Sequence, residues 1–287
     1  DLTRSRGLGD VYKRQALDLP IIVKALDRPS KRQLEDSDGV LPAVVEAWVS
    51  NGLALPEGLE ANDIHWAVAS KIPQNRGLKS SAALSVAGIK ALCEATNTDL
   101  SDFEIVSLSS QAQVNAGVSI TGSIDDSWAC LTKGWRLINA NAEDIESGVV
   151  MSGPGPNPDD WIVLIAARDE RKARPELENF APLFQEFEKA LIALQQGELL
   201  NCLTINGRAV CSVTNDLQGR KIANDAFING ARASGVTGSG PAVVIIIPSL
   251  VRSSAERIKS TLSRLMSSDQ IIETKFLSLD TDELEIE

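Results

Sequence analysis

The chain contains one histidine, His65, and four cysteines, and it has few basic residues for its number of acids, with a formal net charge of −11. Each shortage excludes something. With a single histidine, a Ser-His-Asp hydrolase or a histidine-built metal site would have to rest on His65 alone, and a lone histidine more often serves structure. Cys93, Cys130, Cys202 and Cys211 lie far apart, without C-x-x-C spacing or a dense disulfide pattern. They are expected to be reduced core thiols of a cytoplasmic protein. The longest apolar stretches, Trp161 to Ala167 and Ala242 to Ile247, fall far short of the roughly 20 residues that cross a bilayer, so no membrane span is expected. The acidic balance argues against a nucleic-acid surface, which needs a face of clustered Lys and Arg. An anionic ligand must therefore be held by a local positive site.

What is present is an ordinary globular composition, 43% hydrophobic and 23% charged over 287 residues. From Ala16 onward, apolar strand-like runs alternate with helical periodicity, which predicts a mixed α and β architecture without internal repeats. Leu19 to Ala25 and Ile64 to Ala69 read as strands, and Val40 to Val49 as a short helix ending near Asn51-Gly52. A run rich in small and apolar residues follows Pro73 and reaches Ala95 as a buried helix. Ser101-Asp102-Phe103-Glu104 forms a capping box that opens another helix to about Ala116. Gly153-Pro154-Gly155-Pro156-Asn157-Pro158 breaks both helix and strand, so the domain boundary is placed there, giving domains 16–155 and 156–287. In the second domain Trp161 to Ala167 and Ala242 to Ile247 read as buried strands, Ser253 to Leu265 as a helix and Ile271 to Leu277 as a strand. Leu183, Phe184, Phe187, Ala190, Leu191 and Leu194 form one helical stripe of core packing. The acidic end, 280–287, reads as a solvated tail. Residues 1–15 are basic and polar, without the apolar centre of a signal peptide. Asp10 to Gln15 resembles one reading frame of a sequencing adaptor, which implies that 1–15 is not native and that the native start is missing.

Three segments carry chemistry. In Pro73-Gln74-Asn75-Arg76-Gly77-Leu78-Lys79-Ser80-Ser81-Ala82-Ala83, a glycine and small polar residues enter a helix, so several backbone N–H groups can converge on an anion. Gly77 permits close backbone approach, Ser80 and Ser81 offer hydroxyls to phosphate or Mg²⁺, and Lys79 adds a compact positive charge. On residue types alone the same stretch reads equally as a polar loop with an N-cap serine. Its spacing is not that of a Walker A loop. The second segment, Gly117-Val118-Ser119-Ile120-Thr121-Gly122-Ser123-Ile124-Asp125-Asp126, ends in adjacent carboxylates, one of which could act as a general base, or which could be surface acids on a capped turn. In extended chain only one of the pair could face a substrate. The third segment, Gly235-Val236-Thr237-Gly238-Ser239-Gly240-Pro241, precedes a strand and is by itself a weak glycine motif.

The first segment matches the pattern P-x-x-x-G-L-x-S-S-A-A at every specified position, and on it the sequence is identified as resembling the GHMP kinase superfamily. Gly-Leu-Lys-Ser-Ser, the Thr-Gly-x-x-Asp-Asp stretch, Asn206-Gly207 and Gly230-Ala231 resemble the archaeal-type shikimate kinases, and the likeness runs from about Ala16 to Ile247. The resemblance implies an α+β, two-domain GHMP kinase fold, with an N-terminal domain like ribosomal protein S5 domain 2 and a ferredoxin-like C-terminal domain. It implies transfer of the ATP γ-phosphate to the 3-hydroxyl of shikimate, on the path to chorismate and the aromatic amino acids. Pro73, Gly77, Leu78, Lys79, Ser80, Ser81, Ala82 and Ala83, with Gly238, Ser239 and Gly240, would hold ATP. Ser81 would also meet Mg²⁺, Asp125 would be the base with Lys79 as the catalytic cation, and Asp126 would support the site or face the metal. Relatives offer an upstream Glu as a metal ligand, where this helix has Gln111, Gln113 and Asn115, so a second ligand is unassigned. A shikimate carboxylate calls for Arg or Lys. Arg168, Arg171, Lys172 and Arg174 are candidates, or simply a solvated charged loop. The alternatives are a homoserine kinase or other GHMP metabolite kinase, and a non-catalytic nucleotide-binding protein of the same fold.

Overall fold

A computed structural model describes residues 13–279 apart from 31–33, 35, 75, 120–121, 140–141, 143, 170–176 and 239. The N-terminal half is built on helices. Helix α1 (Val40–Ser50) is apolar on nearly every side, because Leu41, Val44 and Trp48 are fully buried among its neighbours. The Trp48 indole N–H is satisfied by the Ala54 carbonyl at 2.9 Å, so its ring enters the core without an orphaned donor. The entry to α1 is set by Asp36, whose two carboxylate oxygens accept from the Val40 and Leu41 amides at 2.8 Å each. Helices α2 (Ser80–Thr96) and α3 (Asp102–Asn115) pack on α1, and Gly88 of α2 is required there, since a Cβ would lie 2.7 Å from a Leu41 methyl. The capping box at Ser101 and Glu104 forms as the spacing predicts. Strands β2 (Ile21–Leu26) and β3 (His65–Ser70) pair antiparallel beside this layer. Strand β1 (Lys13–Gln15), helix α4 (Ile124–Leu131), and strands β4 (Trp135–Ile138) and β5 (Val149–Gly153) complete the half, with sheet order β1-β4-β5.

The C-terminal half holds β6 (Trp161–Ala166), α5 (Phe184–Gln195), α6 (Leu199–Val213), α7 (Leu217–Ile228), β7 (Ala233–Val236), β8 (Val243–Pro248), α8 (Arg252–Leu262) and β9 (Ile271–Thr274). The sheet order is β7-β8-β6-β9 with every adjacent pair antiparallel. That is the split βαβ arrangement of ferredoxin-like domains. Strands β6 and β8 read as continuous apolar runs because both faces are covered: Ile162, Leu164 and Ala166 enter one core, Val163 and Ile165 the other.

Strands and helices of the predicted kind stand where the apolar patterns place them, with some corrections. The stripe on α5 includes Phe187, Ala190 and Leu194, but Phe184 is exposed, and Leu183 lies in the 3₁₀ turn before the helix. Gly235 and Val236 belong to β7, so the glycine turn proper is shorter than its sequence motif. Of the cysteines, Cys202 and Cys211 are buried, Cys93 is half-buried, and Cys130 is exposed on α4 rather than in a core. The chain end returns to the first half. Leu277 exchanges backbone hydrogen bonds with Ala16 and Gly134, and the Leu279 amide donates to Pro154 O. Residues 1–12 and the acidic end 280–287 lie outside the described residues, whereas Lys13–Gln15 pair with β4. No helix among the described residues is long and apolar enough to cross a membrane.

Candidate active site

The phosphate-cradle segment joins β3 to α2. Its last loop residue, Lys79, is the N-cap of α2 with φ 63° and ψ 39°, a left-handed conformation that side chains other than glycine rarely adopt. An N-cap is ordinarily extended. The unusual turn aims the first amides of α2, at Ser80, Ser81 and Ala82, away from the helix, where they have no intrahelical acceptor. The Ala83 amide is already used, donating to Lys79 O at 3.1 Å, so the cradle ends at Ala82. The methyl groups of Ala82 and Ala83 are buried in the core and offer packing rather than ligand contacts. The Leu78 side chain likewise packs against the C-terminal sheet, leaving its backbone for the site. Pro73 stands half-buried at the start of the loop.

Gly77, at φ 77°, meets the third motif directly: a Cβ there would lie 2.3 Å from Gly240 O. The Ala242 amide donates to Arg76 O at 3.0 Å, and the Thr237 hydroxyl faces Gly77 O at 3.5 Å. Gly238 and Gly240 both have positive φ, and the Gly240-Pro241 peptide is cis. The two glycine turns, 160 residues apart in the chain, thus form one wall. Ser239 lies outside the described residues. The other glycines of the likeness have packing roles. Gly207 lets α6 lie against β7, since a Cβ would meet Gly235 Cα at 2.4 Å, and Gly230 turns the chain beside Ser254.

The adjacent carboxylates do not lie in extended chain. They occupy the first turn of α4, about 100° apart around the helix axis. Asp126 is buried, at 2% exposure, and its Oδ2 accepts from the Lys79 ammonium at 2.8 Å. Asp125 is half-buried one position earlier. The loop before them is shaped by Gly122, where a Cβ would overlap the Ser110 hydroxyl, and by Ser123, which is left-handed at φ 48°. A buried polar cluster supports this turn. Gln113 donates from Nε2 to Gly122 O at 3.0 Å and to Ser127 Oγ at 3.1 Å. The Ser85, Ser109 and Ser127 hydroxyls are linked at 2.6 and 2.8 Å. Gln113 is therefore committed to holding the loop, and Gln111 accepts from Asn51 on the surface. Asn115 is exposed.

A small cavity at the mouth of α2 is lined by oxygen-bearing side chains, among them Ser80, Ser81, Ser70 and Asp38, with Gln74 beside them. Beneath the glycine turns lies a larger cavity walled by Leu78, Phe187, Leu203 and Phe276, with Asn206 and Thr237 among its few polar side chains. The first, with the Asp36 and Asp38 carboxylates beside the serine hydroxyls, suits a cation rather than an anion, whereas the second suits apolar surface. Arg168 is not available to a carboxylate. At 8% exposure its guanidinium is spent on Asp216, at 2.9 Å through Nη1 and again through Nη2, and on Pro241 O at 2.7 Å. Burial works to raise the Asp216 carboxyl, but the Arg168 guanidinium and the Gly219 amide hold it below the usual carboxylate range. Arg171, Lys172 and Arg174 lie outside the described residues. Neither the Lys79–Asp126 pair nor the Arg168–Asp216 pair is announced by local spacing. Arg76, a free position in the motif, does carry a signal, as a long cation preceding a glycine that must meet another backbone.

Comparison with known proteins places this geometry. The family described as the GHMP kinases N terminal domain matches residues 45–134, the stretch from α1 through the phosphate loop to the end of α4. The chain is 30% identical over 218 residues to a shikimate kinase of Methanocella arvoryzae, covering 72% of this chain and 70% of that protein. It is 28% identical over 182 residues to a shikimate kinase of Methanothermobacter thermautotrophicus, covering 62% of this chain but only 61% of that protein's length. Among solved structures, a galactokinase of Lactococcus lactis bound to galactose superposes with a TM-score of 0.72 over 96% of this chain and 90% of that one, at 13% identity. At that identity the likeness speaks for the fold alone. The match of sequence, fold and motif order together makes this chain a member of the GHMP kinase superfamily, with archaeal-type shikimate kinases as its sequence relatives.

Proposed function

We propose that the protein is an ATP-dependent small-molecule kinase that phosphorylates the 3-hydroxyl of shikimate. The phosphoryl-transfer part of this reading is supported by the 2.8 Å contact between Lys79 and Asp126, which brings the start of α4 to the mouth of the phosphate loop, and the acceptor by the likeness to shikimate kinases. The amides of Ser80, Ser81 and Ala82 would receive the terminal phosphates, favoured by the positive end of α2. Lys79 would offset phosphate charge, held by Asp126 until a nucleotide shares it. Asp125, on the same helical turn and half-buried, would accept the proton of the attacking hydroxyl. Alignment and fixed charge supply most of the acceleration in such transfers.

No three His, Cys, Asp or Glu side chains gather into a metal cluster among the described residues. Mg²⁺ needs only one or two protein oxygens when phosphates and water complete its octahedron, and the Ser80, Ser81 and Asp38 oxygens around one small cavity fit that demand. Ser81 is the ligand we assign. When bound, the ion would neutralise charge on the phosphate oxygens. For the shikimate carboxylate, Arg171, Lys172 and Arg174 remain the candidates.

ADP release measured with ATP and a panel of shikimate, homoserine, mevalonate and galactose tests the assignment. Turnover is expected with shikimate. Turnover with homoserine and none with shikimate replaces the substrate while keeping the kinase. Nucleotide binding without turnover of any acceptor would indicate the non-catalytic reading. Asp125→Asn is expected to lower turnover by roughly 10²- to 10⁴-fold with ATP binding retained. Unchanged turnover removes Asp125 as the base.

A further inference from the structure

Outside the groups assigned to phosphate and acceptor, one buried charge cluster touches both glycine turns. Arg76, just before Gly77, donates from Nη1 to the carbonyls of Ala167 and Arg168 at 2.6 and 3.1 Å. Those carbonyls lie just past the end of β6. From the same place the Arg168 side chain turns back, giving Nε to Pro241 O at 2.7 Å and both terminal nitrogens to Asp216. Asp216 is fixed in its turn as the N-cap of α7, accepting from the Gly219 amide at 2.8 Å. Gly219 is glycine because a Cβ would lie 2.4 Å from Asp216 Oδ2 and 2.8 Å from Arg168 Nη2. The connection is continuous, running from the phosphate loop through the end of β6 and the guanidinium to Pro241, the residue that closes the Gly238–Gly240 turn.

Burying a guanidinium and a carboxylate carries a desolvation penalty that apolar residues of similar volume would avoid. Here the geometry uses what only arginine has: a planar fork for the carboxylate and a third donor, on Nε, aimed elsewhere. A lysine would keep the charge opposite Asp216 but could not hold the Pro241 carbonyl as well. Because Gly77 and Gly240 stand so close that no Cβ fits between them, a small shift of the Pro241 end moves the wall that both turns form beside the start of α2.

We propose that Arg168, oriented by Asp216, is a positioning residue for nucleotide binding: it holds the C-terminal glycine turn against the phosphate loop and so fixes the wall beside the start of α2. This rests on reading that wall as one side of a nucleotide site. The test is calorimetric ATP binding to the full chain, with KM for ATP and for the acceptor measured alongside unfolding midpoints. Arg168→Lys is expected to weaken ATP tenfold or more while the acceptor KM moves less than threefold. Asp216→Asn keeps an N-cap acceptor for the Gly219 amide but loses the ionic fork, so α7 survives. It should weaken ATP in the same direction, and the double variant should be no weaker than the worse single one. ATP affinity within twofold of the unaltered chain in both variants, with midpoints lowered, overturns the proposal and leaves Arg168 a structural residue. Failure of the unaltered chain to bind ATP removes the nucleotide reading itself and this inference with it.

Discussion

Two ion pairs flank the wall made by the glycine turns, and they are built differently. Arg168 and Asp216 are joined by a two-point fork, and their spare capacity is taken up by Pro241 O and the Gly219 amide. Lys79 and Asp126 meet through one nitrogen and one oxygen, and Lys79 is still 31% exposed. An ammonium has three donors on a flexible stem, so this pair can share its cation with an arriving phosphate. The first pair is saturated, whereas the second keeps donors that a phosphate would share under the proposed function. The contrast teaches that charge near a site is not evidence of ligand contact until its hydrogen-bonding capacity has been counted.

The sharpest way to break that contrast is Arg168→Met. It strands a partly buried carboxylate, and loss of one partner of such a pair costs roughly 3–5 kcal/mol. Urea unfolding should register that loss, and adding Asp216→Asn should recover part of it. Full stability in the single variant would mean the fork contributes nothing. Gly77→Ala comes next. It places a methyl group 2.3 Å from Gly240 O, at a φ of 77°, with backbone on both sides. Left-handed strain and overpacking together suggest a loss of roughly 2–4 kcal/mol. ATP binding should fall with it, because the two turns that form the wall of the proposed nucleotide site must move apart.

The fold was largely legible because its strands and helices obey simple periods. Trp161 to Ala166 and Val243 to Pro248 are continuous apolar runs, and two-sided burial in the sheet explains them. Helix α6 is not legible for a physical reason. An Asn-Gly pair in the middle of α6 looks like a turn, yet Gly207 is there so that the helix can touch Gly235 of β7. The turn into α2 was legible in part, since a glycine, two serines and a helix start are local features, but the left-handed Lys79 at its N-cap was not. That the two aspartates share a helical turn was not legible, because the small residues before them suggest loop. The Arg168–Asp216 pair spans 48 residues, and no local spacing could reveal it. Local chemistry is written in local sequence, whereas saturation of a charge is decided by the tertiary fold.

A smaller effect separates the backbone of the exchangeable pair from its charge. Lys79→Ala and Lys79→Gly remove the same ammonium from Asp126, so any difference between them belongs to the left-handed N-cap. Glycine should be the more stable by about 1 kcal/mol, the reverse of the order in a helix interior. Equal stabilities, or alanine ahead, would mean that the turn at residue 79 relaxes once the side chain is gone.

The least of these effects is in acid. Burial opposes the ionised form of Asp216, but the Arg168 and Gly219 hydrogen bonds prevail and hold its carboxyl below the ordinary value of 3.8. Glu273 behaves likewise, with burial outweighed by hydrogen bonds from Lys259 and Arg252, which keep it below 4.5. A carboxyl depressed on folding contributes stability that is complete above its unfolded value and is lost as pH falls through its folded one. The stability difference between the unaltered chain and Asp216→Asn should therefore be constant at neutral pH and shrink only below about pH 4. The same comparison with Glu273→Gln should begin to shrink slightly higher, because the unfolded glutamate titrates higher. Denaturant midpoints taken across that range decide it. A difference that instead grows as pH falls from neutral would show that the Asp216 carboxyl is raised by its burial, and the saturated pair would lose its role as scaffold.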